Sequence, residues 1–81
     1  MTIREATSKM LNDIRCGYIR KKGRITDKAI AEDMGIDPVT FSRLITEIVT
    51  PRIMTWYKIT KKHSELWGEM ETAAIIDGIE L

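Results

Sequence analysis

The sequence predicts an all-α fold, a bundle of four to five helices that contains a helix-turn-helix. Three observations lead there. Apolar residues recur at helical spacing in successive segments; capping residues followed by proline, and glycines, punctuate those segments; and two short helical patterns are separated by one glycine turn.

The first helix is read from Met10, Leu11, Ile14 and Tyr18, at i, i+1, i+4 and i+8, with Ser8, Lys9, Asp13 and Arg15 outside the stripe. It is expected to close near Arg20 to Lys22, because Gly23 can take the left-handed conformation that ends helices and basic residues suit a helix C-terminus. Gly17 weakens its last turn. Thr26 caps a second helix with Asp27 in its first turn, and Gly35 stops that helix after about two turns. Asp37 caps a third, whose first position holds Pro38, where a missing N–H costs nothing. Phe41, Leu44, Ile45 and Ile48 give it a buried stripe at i, i+3, i+4 and i+7, which carries the helix to Val49.

Thr50-Pro51 repeats the cap-then-proline signal, so a fourth helix is expected from Pro51 to about Lys61, with Ile53, Met54 and Tyr57 facing inward. Ser64 caps a last helix carrying Leu66, Trp67, Met70, Ala73 and Ala74, ending before Asp77-Gly78. Residues 1–63 then form the unit that holds the helix-turn-helix. Residues 64–81 form a C-terminal helix that is an oligomerisation segment or the edge of the domain.

Composition narrows the function. With 43 per cent hydrophobic and 31 per cent charged residues, the chain reads as a folded globular domain rather than a disordered one. A chain of 81 residues buries only about 60 per cent of its unfolded surface, so the core is small and self-association is a natural supplement. No apolar run is long enough to span a bilayer, and the start leads into no apolar stretch, so a cytoplasmic location is expected. Cys16 is the single cysteine, which rules out an internal disulfide, and no metal or cofactor is expected. An enzyme is not expected either, since no His/Ser or His/Cys pairing and no phosphate-binding glycine loop occurs.

Charge is nearly balanced at +1, but it is distributed unevenly. Residues 1–28 carry eight Lys/Arg against three acids and residues 50–63 four against none, whereas 29–49 and 64–81 are acidic. A folded arrangement can therefore present a basic face, with the acidic tail turned away from any phosphate. Lys61-Lys62-His63 reads as a solvated helix end, and nothing is assigned to His63.

Two short helices joined by a glycine turn must cross steeply, so the crossing needs residues of defined size. Ala31, four before Gly35, permits close approach; Ile30, Met34 and Ile36 pack around the turn; Phe41 and Leu44 anchor the next helix. The opposite face of the third helix would then enter a DNA major groove. On it, Arg43 pairs with guanine, Ser42, Thr40 and Thr46 bond base edges or phosphates, Val39 packs on a thymine methyl, and Glu47 accepts from cytosine or pairs with Arg43 at i+4. Arg24, Thr26, Lys28, Arg52 and Lys58 are placed for phosphates. Trp56, Leu66, Trp67 and Met70 are divided between the core and an oligomer interface, because a small chain has little interior to hide them all.

These residues resemble the phage-repressor type of helix-turn-helix. In particular, Ala31-Glu32-x-x-Gly35-Ile36-Asp37-x-x-x-Phe41-Ser42-Arg43-Leu44 is similar to the CII-type transcription activators of lambdoid phages, over about residues 8–60. The chain departs from the wider family in carrying Asp27 where a glutamine is common, and in having no glutamine at all. The resemblance implies a sequence-specific transcriptional regulator, activator or repressor, that binds double-stranded DNA as a homo-oligomer. A CII-type protein would be a tetramer on direct repeats, with RNA polymerase as a further partner; a repressor would be a dimer on a palindrome. The rival reading is a protein-interaction module, an antirepressor or adaptor, that keeps the fold but binds protein through it.

Overall fold

In a computed structural model, residues 1–80 are described, and they form five helices and no strand. The helices are α1 (Ile3–Lys22), α2 (Asp27–Met34), α3 (Pro38–Ile45), α4 (Ile53–Trp67) and α5 (Glu69–Asp77). The twenty-residue α1 is the axis of the molecule, touching each of the other four.

Helix α1 begins seven residues before the first apolar residue of its stripe, because Thr2 and Glu5 form a capping box. Thr2 accepts from the Glu5 N–H, and the Glu5 carboxylate accepts from the Thr2 N–H at 2.9 Å. Met10, Leu11 and Ile14 are fully buried, as the periodicity requires. Gly17 serves packing rather than weakening the helix. A Cβ there would meet Leu66 side-chain atoms at 3.1 and 3.3 Å, so its absence is what lets α4 lie close to α1.

Helices α2 and α3 start and stop where the caps dictate. Thr26 accepts from Ala29 N–H; Gly35 takes a left-handed conformation (φ 72°, ψ 33°), and the Ile36 N–H reaches back to the Ala31 carbonyl at 2.8 Å. Ile30, Ala31, Met34, Ile36, Phe41 and Leu44 are all buried.

Helix α3 ends at Ile45, four residues short of the expected Val49. Glu47 turns left-handed (φ 63°), the Ile48 N–H bonds to the Arg43 carbonyl at 2.9 Å, and Ser8 of α1 takes the Ile45 carbonyl at 2.7 Å. The β-branched Ile45, Thr46, Ile48, Val49 and Thr50 are poor helix formers, and Pro51 disfavours helix at Thr50. Ile48 is consequently 63% exposed instead of completing the buried stripe.

The break placed at Ser64 also moves. Helix α4 runs through it to Trp67, and the chain turns at Gly68, whose φ of 98° and ψ of 157° suit only glycine. The boundary at 63/64 therefore falls inside a helix. The inward face of α4 is the stripe of Trp56, Ile59, His63 and Leu66, with Ile59 and His63 fully buried. Ile53, Met54 and Tyr57, expected inward, are 82%, 64% and 57% exposed. They lie more than a quarter of a turn from the centre of the stripe that packs on α1. Helix α5 folds back on α4 and α1, burying Thr72 and Ile75, and the chain end is tied to its start where Glu80 N–H bonds the Met1 carbonyl at 2.8 Å. No helix of the described residues is long and apolar enough to cross a membrane.

Candidate functional site

The exposed side of α3 is positioned by its buried side. Phe41 and Leu44 pin the helix against α1 and α2, which leaves Val39, Ser42 and Arg43 on the outer face, with Thr40 half-buried beside them. The α3 N-terminus is already occupied, because the Asp37 carboxylate accepts from the Val39 and Thr40 N–H groups at 3.1 and 3.2 Å. Of the six residues expected to read bases, Val39, Thr40, Ser42 and Arg43 belong to α3. Thr46 and Glu47 sit in the turn that follows it, and the Thr46 hydroxyl donates to the Ser42 carbonyl at 2.8 Å.

Arg43 makes no ion pair with Glu47. Among the described residues the salt bridges are those of the N-terminus with Glu80, Lys9 with Asp13, Arg15 with Asp27, and Lys62 with Glu65. Arg24, Lys28, Arg43 and Arg52 have no carboxylate partner, and all four are exposed. The left-handed turn at Glu47 explains this for Arg43, since the two residues no longer share one helix face. Lys58 is different. Its ammonium donates to the Gly35 carbonyl at 2.8 Å, so it holds the α2–α3 turn from α4. Thr26 caps α2, and its hydroxyl proton remains available.

Between α3 and the start of α4 lies a cleft of about 450 Å³. Arg43 and Arg52 flank it, Thr40, Thr50 and Thr55 supply hydroxyls, and Leu44, Val49 and Pro51 complete its wall. No acidic residue lines it. This grouping joins two positions expected to touch bases, one expected to touch phosphate, Thr50, which the sequence offered only as a helix cap, and Thr55, which it did not single out. Only the bend at residues 46–52 brings them together.

The opposite end of the molecule holds a polar network that the sequence reading missed. His63, read as a solvated residue, is 1% exposed. Its Nδ1 meets the Thr72 Oγ1 at 2.7 Å, and its Nε2 meets the Asp13 carboxylate at 2.9 Å. Trp67 donates its indole N–H to the Asp13 carbonyl at 2.7 Å, and the Arg20 guanidinium lies 4.2 Å over the Trp67 ring. Leu66 packs on Gly17. Leu66 and Trp67, expected at an oligomer interface or in the core, are thus engaged within the chain, as is Trp56 in part, while Met70 is 88% exposed. The signal that could have found His63 is its spacing of four from Ile59 and seven from Trp56.

Next to this network, Tyr18 donates its hydroxyl to Asp33. Burial, then the Asp33 carboxylate, pushes the Tyr18 phenol above its usual range, and the Tyr18 hydroxyl followed by Lys22 holds Asp33 below the usual carboxylate range. Every buried side-chain polar atom of the described residues has a partner, and no group of three His, Cys, Asp or Glu among them is arranged to hold a metal ion. In comparisons with protein families, curated proteins and solved structures, nothing matches this chain.

Proposed function

We propose that the chain is a sequence-specific DNA-binding transcriptional regulator that uses α2, the Gly35 turn and α3 as a helix-turn-helix. The observation that carries this reading is the set of exposed cations without carboxylate partners, Arg24, Lys28, Arg43 and Arg52, around and on a helix whose other face is fully packed. A surface that leaves its guanidinium groups free of carboxylate partners is suited to a polyanion. Val39, Ser42 and Arg43 would meet base edges, and Arg24, Thr26, Lys28 and Arg52 phosphates. The pattern from Ala31 to Leu44 supports a place among phage-repressor-type regulators, in particular CII-type activators. One recognition helix reads few base pairs, so two or more copies would act on half-sites about one helical turn apart. Trp56 and Met70 are the remaining candidates for their contact.

The test is selection from random duplexes followed by sequencing, at two salt concentrations, for the wild type and Arg43→Ala. The expected result is an enriched motif with regularly spaced half-sites, weakened by salt, with affinity reduced about tenfold or more in the variant. An unenriched pool and a variant indistinguishable from wild type would sink the proposal.

One observation favours a protein-interaction module instead. Ile48, Ile53 and Met54 are exposed close to the Arg43 side of the molecule, an apolar group with no use for phosphates. Binding to protein through that surface would be nearly insensitive to salt, which separates the two readings.

A further inference from the structure

We propose that the cleft between α3 and the start of α4 is a phosphate-binding site, in which Arg52 grips one phosphate group, three threonine hydroxyls supply further donors, and Arg43 on the flank adds positive charge while its fork stays free for a base edge. It deepens the reading above, resting on it only for one of two sources of that phosphate, the DNA backbone or a free phosphorylated molecule.

The argument starts from where the threonines spend their protons. Thr7, Thr46, Thr60 and Thr72 each donate to a carbonyl of their own helix or turn. Thr40 and Thr55, the two helical threonines that line the cleft, make no side-chain hydrogen bond. Thr50 accepts from the Arg4 Nε at 3.1 Å, which leaves its own proton free to donate. The cleft thus gathers donors and no carboxylate acceptor, which is the complement of an oxyanion. The α4 N-terminus beside it, at Arg52, has no side-chain cap. Arginine forks suit phosphate oxygens, and both arginines lack an ion-pair partner that would compete. The space of about 450 Å³ lies within the usual range for small-ligand sites, so it admits the group that carries the phosphate as well.

The experiment is backbone-amide NMR of the full chain titrated separately with inorganic phosphate, with adenosine 5′-monophosphate against adenosine as the uncharged control, and with a short duplex. Saturable shifts centred on Thr40, Thr50, Arg52 and Thr55 are expected with at least one phosphate-bearing probe and not with adenosine. Shifts with phosphate or the nucleotide identify a free ligand as a source, and shifts with the duplex alone identify the DNA backbone. Arg52→Ala should weaken binding about tenfold and Thr50→Val less, both checked for native helicity, while Lys21→Ala on α1 leaves it unchanged. Equal losses in Arg52→Ala and Lys21→Ala, or no saturation with any probe, overturn the site. Duplex binding that survives unchanged in Arg52→Ala and Thr50→Val overturns the site and leaves the regulator standing. Phosphate binding without duplex binding does the reverse.

Discussion

The two ends of this small molecule treat polar groups in opposite ways. Where α1, α4 and α5 meet, His63, Asp13, Thr72, Trp67 and Arg20 form one connected set of contacts, and His63 is buried as deeply as Phe41 of the apolar core. Around α3 and the start of α4, Arg43, Arg52, Thr40 and Thr55 are left without partners. The difference follows from solvation. Polar groups at the first end are satisfied because desolvating them otherwise would cost stability, whereas at the second they stay in water, where an unspent donor costs little and remains free for a ligand.

The strongest way to break this contrast is at His63. His63→Ala removes a buried ring and takes one hydrogen-bond partner each from the Thr72 hydroxyl and the Asp13 carboxylate, and is expected to lower stability by about 3 kcal/mol in urea denaturation. Arg43→Ala, at the other end, should stay within about 0.5 kcal/mol of wild type in the same measurement. Comparable losses in the two variants would mean that the α3 surface is structural after all.

The glycine turns give a smaller contrast. Gly68→Ala forces a side chain into the backbone region at φ 98° and ψ 157°, at a cost of about 2 kcal/mol. Gly35→Ala meets the milder left-handed region, where about 1 kcal/mol is expected. Thermal melts of the two variants rank them, and the reverse order would show that the Lys58 contact with the Gly35 carbonyl, rather than backbone conformation, dominates at the α2–α3 turn.

The smallest effect is acid sensitivity. Glu5, through the Thr2 N–H and hydroxyl, and Asp33, through the Tyr18 hydroxyl, are held below their ordinary values of 4.5 and 3.8. A carboxyl whose folded pKa is depressed stabilises fully above its unfolded pKa and loses that contribution as the pH falls through the folded one. The melting temperature should therefore be flat down to about pH 5 and decline below it. Glu5→Gln should melt lower at neutral pH and show a shallower decline in acid; an unchanged slope would remove Glu5 from the account.

Local chemistry wrote much of the fold into the sequence. Thr26, Gly35, Asp37 and Pro38 determine α2 and α3 because each acts on backbone groups within a turn of itself, and Met10, Leu11 and Ile14 bury as their spacing demands. Arg43 and Arg52 could be named for the same reason, as cations on or beside a short helix whose apolar face was clear.

What the sequence alone left undecided depended on partners distant in the chain. The end of α3 at Ile45 depends on the Ser8 hydroxyl of α1 as well as on its own β-branched residues. Whether Ser64 or Gly68 breaks the last helices was settled by α1, against which His63 and Leu66 pack on either side of Ser64 and hold α4 straight. The sequence supplied the charges and the caps, which act locally. Tertiary packing chose which polar groups found partners and which were left facing water, because that choice is made between residues as far apart as Asp13 and His63.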